Sequence, residues 1–165
     1  MEYFTEYASP VGKLLLTSDG ENLTGLWMNR EPPAAGKAEE LPVLLKARKW
    51  LDAYFRGEDA PIDFPLAPEG TAFQKRVWDI LLAIPYGKTR TYGDIAREMA
   101  GSLGKEKMSA QAVGGAVGRN PISILIPCHR VVGAQGQLTG YAGGLDKKVW
   151  LLEHEGWKTR DNRVF

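Results

Sequence analysis

Apolar residues recur at two different spacings along this chain. In the first third they come in short extended runs: Tyr3–Ala8, Lys13–Ser18 and Leu23–Met28 read as strands. The segments between them, "SPVG" and "SDGEN", carry turn chemistry. "REPPAAGKAEE" reads as a loop. Leu44, Ala47, Leu51 and Tyr54 then fall on one helical stripe, which predicts a helix over "LPVLLKARKWLDAYF". "RGEDAPIDFPLAPEG" is rich in Pro and Gly and reads as a linker.

Beyond the linker the spacing becomes mostly helical. Thr71 and Gln74 form a T-x-x-Q capping box. It opens a helix through Phe73, Val77, Trp78, Leu81 and Leu82 that must stop before Pro85. Thr91 and Asp94 cap a second helix, "YGDIAREMAG". Ser109 is an N-cap for a third, "AQAVGGAVGRN", closed off by Pro121. The apolar run Ile122–Pro127 reads as a buried strand, "GAQGQ" as a hairpin turn, and "TGYAGGL" as a glycine-rich loop. A last helix, "DKKVWLLEHEG", ends at Gly156. Two helices with a short connection, followed by a hairpin, predict a winged helix-turn-helix. The expected fold class is α+β in two lobes, with a small α/β lobe over residues 1–66 and a mostly helical domain over residues 70–165.

The helix Ala110–Gly118 is unusual. Gly114 and Gly115 stand mid-helix, where each costs roughly 1 kcal/mol relative to Ala. With Ala110, Ala112 and Ala116 they leave a surface nearly free of side chains. Such a surface suits close approach of a neighbouring helix, or of a minor groove only about 6 Å wide.

Composition narrows the class. The chain has 165 residues, 44% of them hydrophobic, which is enough for a real core. No apolar run is long enough to span a bilayer, so no membrane association is expected. The opening "MEYFTEYASPVG" lacks the basic and apolar regions of a signal peptide. A single cysteine cannot form an internal disulfide, which fits a reducing, cytoplasmic home. Net charge is only +1, but residues 1–70 carry 7 basic against 12 acidic side chains, and residues 71–165 carry 14 against 8. A basic second half is the footprint expected of a phosphate-binding surface.

The one cysteine, Cys128, lies between Pro127 and His129, with Arg130 next. A lone Cys is commonly a small buried hydrophobe. Here the neighbours supply a base and a positive charge, the conditions under which a thiolate becomes a nucleophile. A histidine beside a cysteine needs a third group to orient it, and Glu153 or Glu155 on the last helix could reach back. One Cys and two His are too few for a metal site. What the thiol attacks does not follow from these residues alone.

"IPCHRVVG" resembles the signature of the methylated-DNA–protein-cysteine methyltransferases, which repair O6-alkylguanine. The resemblance extends through "GTAFQKRVWDILLAIPYGKTRTYGDIA", "AVGGAVGRNPISILIPCHRVVG" and "LTGYAGGLDKKVWLLEHEG", in the family's order and spacing. It is strong over residues 70–157. Over residues 1–66 it is mainly architectural and implies a ribonuclease-H-like α/β lobe. The resemblance implies that Cys128 accepts the alkyl group, that His129 acts through a water as its base, and that Glu155 orients His129. It implies that Asn120 holds the active-site turn and that Tyr92 contacts the extruded nucleotide and protonates the departing guanine. Tyr141, Ala142 and Gly143 would wall the base pocket beside Val131, with Lys148 near the site. Gln111, Ala112, Gly115 and Arg119 would meet double-stranded DNA through its minor groove. The reaction would be irreversible and single-use, with nucleotide flipping, on O6-alkylguanine and by extension O4-alkylthymine. It would need no cofactor and no metal, and the protein would act as a monomer. The first lobe has no cysteine, so the structural zinc of some relatives has no ligands here. A lesion binder without transfer, or a cysteine hydrolase using Cys128, His129 and Glu155, are the alternatives.

One position departs from the family pattern. Gln111 stands where the family commonly has an arginine that fills the gap left by the extruded nucleotide. Glutamine can hydrogen-bond the orphaned base but brings no charge. Gln111→Arg is therefore expected to raise the alkyl-transfer rate on duplex DNA. Single-turnover kinetics check this, and an arginine variant no faster than the parent would contradict it.

Overall fold

The computed structural model describes residues 1–165, which divide into two compact units. The first comprises Met1–Glu69 together with Pro121–Leu125, and the second Gly70–Asn120 together with Ile126–Phe165. The second unit begins at Gly70, and Pro121–Leu125 packs with the first.

In the first unit, strands β1 (Tyr3–Ser9), β2 (Gly12–Ser18) and β3 (Leu23–Met28) form an antiparallel meander. A two-residue strand, β4 (Lys37–Ala38), adds parallel to β1 inside the segment expected to be a loop. The pairing is local: Lys37 N–H reaches the Glu2 carbonyl at 2.9 Å, and no apolar alternation announces it. Helix α1 (Pro42–Phe55) starts with Pro at its first position, where a missing N–H costs nothing. It buries Leu44, Ala47 and Leu51, the stripe expected from the sequence. The far edge of β3 receives two bridges, at Leu66 and at Ile122.

The Ile122–Pro127 run is buried throughout, but it is not a strand. Ile122 makes a single parallel bridge to Leu26, after which the chain turns. Ile124 takes φ +70°, a left-handed conformation that a β-branched residue adopts only under constraint. Burial without regular pairing is what periodicity alone cannot distinguish from a strand.

In the second unit, α2 (Ala72–Leu82) and α3 (Tyr92–Ser102) each begin with a complete capping box, from Thr71 with Gln74 and from Thr91 with Asp94. Helix α4 (Ala110–Gly118) is capped by Ser109. Trp78 is fully buried, and its indole N–H donates to the Ala116 carbonyl at 2.9 Å, fastening α2 to α4. A short parallel pair, β5 (Arg90–Thr91) with β6 (Val131–Val132), leads into and out of this region. "GAQGQ" does turn, with Gly133 N–H donating to the Gln137 carbonyl at 2.7 Å, but β6 pairs with β5, so no hairpin ladder flanks it. Helix α5 (Leu145–His154) and a terminal hairpin, β7 (Thr159–Arg160) with β8 (Arg163–Val164), complete the unit. That hairpin turns at Asp161 and Asn162, both with positive φ, and the sequence reading did not include it. The signal for it was present, because an Asx pair between short runs favours a type I′ turn. No helix is long and apolar enough to cross a membrane.

The α4 glycines separate the two readings of that helix. A side chain begun at Gly115 or Gly118 would meet nothing within 4 Å, and one at Gly114 would meet only the Tyr92 ring, at 3.8 Å. The face is open space, so close helix packing is not its reason. Gly115→Ala is accordingly expected to stabilise the fold by about 0.5–1 kcal/mol. Urea unfolding checks this, and a loss of stability would mean that the face is packed.

Candidate active site

The segment after Asn120 brings the thiol into place. Cys128 opens a short 3-10 turn, Cys128–Arg130, with its N–H donating to the Ile126 carbonyl at 2.7 Å and Arg130 N–H donating to Pro127 at 2.9 Å. Asn120 is buried and donates from its amide to the Ile126 carbonyl at 2.8 Å, bracing that turn from one side. Asn120 and Tyr141 lie near the Cys128 thiol and pull its pKa down, against a larger upward push from burial.

Cys128 is 5% exposed, and what it exposes opens on a cavity of about 690 Å³. That volume lies within the range of small-molecule sites, roughly 300–1,000 Å³. Helix α4 supplies one side through Ala110, Gln111, Gly114, Gly115, Val117 and Gly118. The loop Thr139–Ala142 supplies the other, and Tyr92 and Asn120 complete the lining. Tyr92 accepts a hydrogen bond from the Thr139 hydroxyl at 3.0 Å, which leaves its own proton available.

Behind the thiol lies a buried ionic cluster. The Glu155 carboxylate accepts from His129 Nε2 at 2.6 Å, from Arg130 Nε at 2.8 Å and Nη2 at 3.2 Å, and from the Gly87 N–H at 3.0 Å. Gly87 has φ +77°, a conformation that suits glycine and aims this N–H. Arg130 Nη1 donates to the Ile84 carbonyl at 2.7 Å. Burial works against the Glu155 anion, but the bonds and charges of His129 and Arg130 outweigh it and hold the carboxyl below the ordinary carboxylate range. Burial pushes the His129 imidazole down from its ordinary value, further than Glu155 pulls it up, so the ring is neutral at pH 7. Its Nε2 carries the proton that Glu155 accepts. Nδ1 is left as a buried acceptor with no protein partner.

Lys148 is fully buried and donates to the Val131 carbonyl at 2.6 Å, with its Nζ 6.0 Å from the centre of the Tyr92 ring. Burial pushes its pKa down to about 8, partly opposed by the nearby Cys128. The same proximity lowers the thiol pKa, against the larger upward push of burial. Burial likewise raises the Tyr92 phenol.

Among the residues singled out from sequence, Tyr92, Gln111, Gly115, Asn120, Cys128, Tyr141 and Ala142 line one cavity. Ala112 and Arg119 are exposed on α4 and at its C-cap, outside the cavity lining. His129 and Glu155 meet beneath it. Val131, Gly143 and Lys148 do not reach its surface: all three are buried, and Val131 serves through its carbonyl. Of the two candidate carboxylates, Glu155 meets the histidine, whereas Glu153 is exposed and accepts from Thr159. The sequence reading took Arg130 as a positive charge beside the thiol, without naming its partner, and did not include Thr139. No cluster of three or more His, Cys, Asp or Glu side chains is arranged to hold a metal ion.

The chain matches the family model "6-O-methylguanine DNA methyltransferase, DNA binding domain" over residues 72–157 and the corresponding "ribonuclease-like domain" over residues 3–68. It is 46% identical over 158 residues to a methylated-DNA–protein-cysteine methyltransferase of Haemophilus influenzae, covering 93% of this chain and 86% of that one. A protein of the same name from Methanosarcina acetivorans is 48% identical over 160 residues, covering 93% and 98%. The crystal structure of Mycobacterium tuberculosis OGT in complex with DNA aligns with TM-score 0.82 at 44% identity, over 93% of this chain and 92% of that one.

The acid response of the cluster follows from its two depressed pKa values. Unfolded, His129 protonates near 6.5 and Glu155 near 4.5, whereas folded both resist. Stability should therefore fall as pH drops below 6.5, and again below 4.5. Glu155→Gln should remove the lower step and cost about 3–5 kcal/mol at neutral pH, because Arg130 is left as a buried, uncompensated charge. Urea unfolding at several pH values measures both effects.

Proposed function

Because the chain belongs to the 6-O-methylguanine DNA methyltransferase family, we propose that it repairs alkylated DNA by moving the alkyl group from guanine O6 onto Cys128. The observation that carries this reading is a thiol at the floor of a cavity whose wall is a bare helix face. The relatives' name supplies the chemical class, a protein-cysteine S-methyltransferase acting on methylated DNA.

The residues divide the work as follows. His129 takes the thiol proton on Nδ1 through a water, since Nε2 is committed to Glu155. The charge of Lys148 favours the resulting thiolate. The sulfur attacks the alkyl carbon. The C–S bond forms as the C–O6 bond breaks, and the electron pair leaves on guanine. Tyr92, kept protonated by its burial, supplies the proton the purine needs. The product is a thioether, which has no leaving path, so each molecule acts once. O4-alkylthymine presents the same kind of carbon and is a second substrate of the same reaction.

The target atom sits inside a duplex, so the nucleotide must be swung out, at a cost of a few kcal/mol. Phosphate contacts along the basic half, with Arg119 exposed at the end of α4, offset that cost. The stripe Ala112, Gly115 and Gly118 lets the α4 backbone approach a minor groove, with Gln111 at the position left open by the base. The protein acts as a monomer on double-stranded DNA, without cofactor, in the cytoplasm.

Intact-protein mass after incubation with a duplex containing O6-methylguanine tests the reading. A single gain of about 14 Da, absent in Cys128→Ala, is the expected result, because methyl replaces the thiol hydrogen. Binding without a mass change would favour a lesion binder, and multiple turnovers of a thioester would favour a hydrolase.

A further inference from the structure

We propose that the C-terminal hairpin β7–β8 sets the size of the alkyl group the cavity accepts, by holding in place the loop that forms one wall. The inference rests on the alkyl-transfer reading above. The wall is Thr139–Ala142. It is lightly supported from within: Thr139, Gly140 and Ala142 are exposed, and a side chain begun at Gly140 would meet nothing within 4 Å. Its ties forward include the Thr139–Tyr92 bond and the Gly144 N–H to the Tyr141 carbonyl at 2.9 Å.

On the other side the wall hangs from Leu138, and Leu138 is held by the hairpin. Its N–H donates to the Asn162 carbonyl, at the hairpin tip, at 2.7 Å. Gln137 bridges Arg163. The Leu138 and Val164 side chains share a small buried cluster with Val132 and Leu152. Gly136, with φ +78°, lies so close that a Cβ there would sit 2.5 Å from the Val164 carbonyl oxygen. The hairpin is itself anchored, by Lys158 and Phe165 exchanging N–H···O bonds of 2.9 and 2.8 Å and by the Thr159 hydroxyl on Glu153. The hairpin, Thr159–Val164, lies beyond the 72–157 span matched by the DNA-binding family model.

A wall pinned at one end by a replaceable contact has a width set by that contact. A methyl group needs little room and is indifferent to it. A benzyl group needs the Tyr141 side of the cavity to stand back. Loosening the junction should therefore favour the larger group.

The test uses the full chain, with Val164→Ala and Gly136→Ala approaching the junction from opposite sides. Second-order transfer rates are measured for O6-benzylguanine and O6-methylguanine in the same duplex, each normalised to the fraction of protein that can be alkylated to completion. Simple destabilisation lowers that fraction equally for both substrates and cancels. The benzyl-to-methyl rate ratio is expected to rise about ten-fold. A rise in either variant supports the proposal. A ratio unchanged or lowered in both overturns it. A parent protein that takes up neither group overturns the alkyl-transfer reading itself, and this inference with it.

Discussion

The second unit depends on one buried anion. Glu155 at the end of α5 gathers donors from the turn after α2, from the imidazole next to the thiol, and from the arginine after that. An unpaired carboxylate could not exist there, since desolvation would neutralise it. With four donors it is stable as an anion, and it then dictates the state of its neighbours. Arg130 has its fork filled and is not free to serve substrate. His129 is held by Nε2, so Nδ1 must be the basic nitrogen. On the proposed function, the carboxylate that holds Nε2 thereby determines that Nδ1 takes the thiol proton.

The same economy appears in α4. A helix with Gly114, Gly115 and Gly118 forms weakly on propensity alone. It is held by its other face, where Val113, Ala116 and Val117 are buried and the Trp78 indole bonds the Ala116 carbonyl. Tertiary packing makes the helix, and this leaves the exposed face free to have almost no side chains. Stability is given up on the surface where, on the proposed function, a duplex has to come close.

Much of this was legible in the residues. The three strands, α1 and the capped starts of α2, α3 and α4 follow local rules: alternation, 3.6-residue stripes, and a Thr or Ser whose oxygen meets an N–H three positions on. The candidate nucleophile and its base are neighbours in sequence and needed no fold to be associated. The errors have a common source. Ile122–Pro127 looked like a strand because burial and strand formation leave the same apolar trace, yet its backbone turns through a strained Ile124. Lys148 and Val131, expected beside the pocket, are buried next to it, because a lysine stem packs among apolar side chains when a carbonyl meets the ammonium.

The sequence by itself determined which chemistry is possible: one thiol, one adjacent imidazole, a basic half, and a helix stripped of side chains. These are properties of composition and of spacing within a few residues. Only the tertiary structure showed that Glu155 reaches His129 while Glu153 faces solvent, that Arg130 pairs with the Glu155 carboxylate, that the stripped face is open rather than packed, and that the terminal hairpin bonds the residue preceding the cavity wall. Each of those joins atoms 24 or more residues apart or rests on an empty volume, and one-dimensional order encodes neither directly.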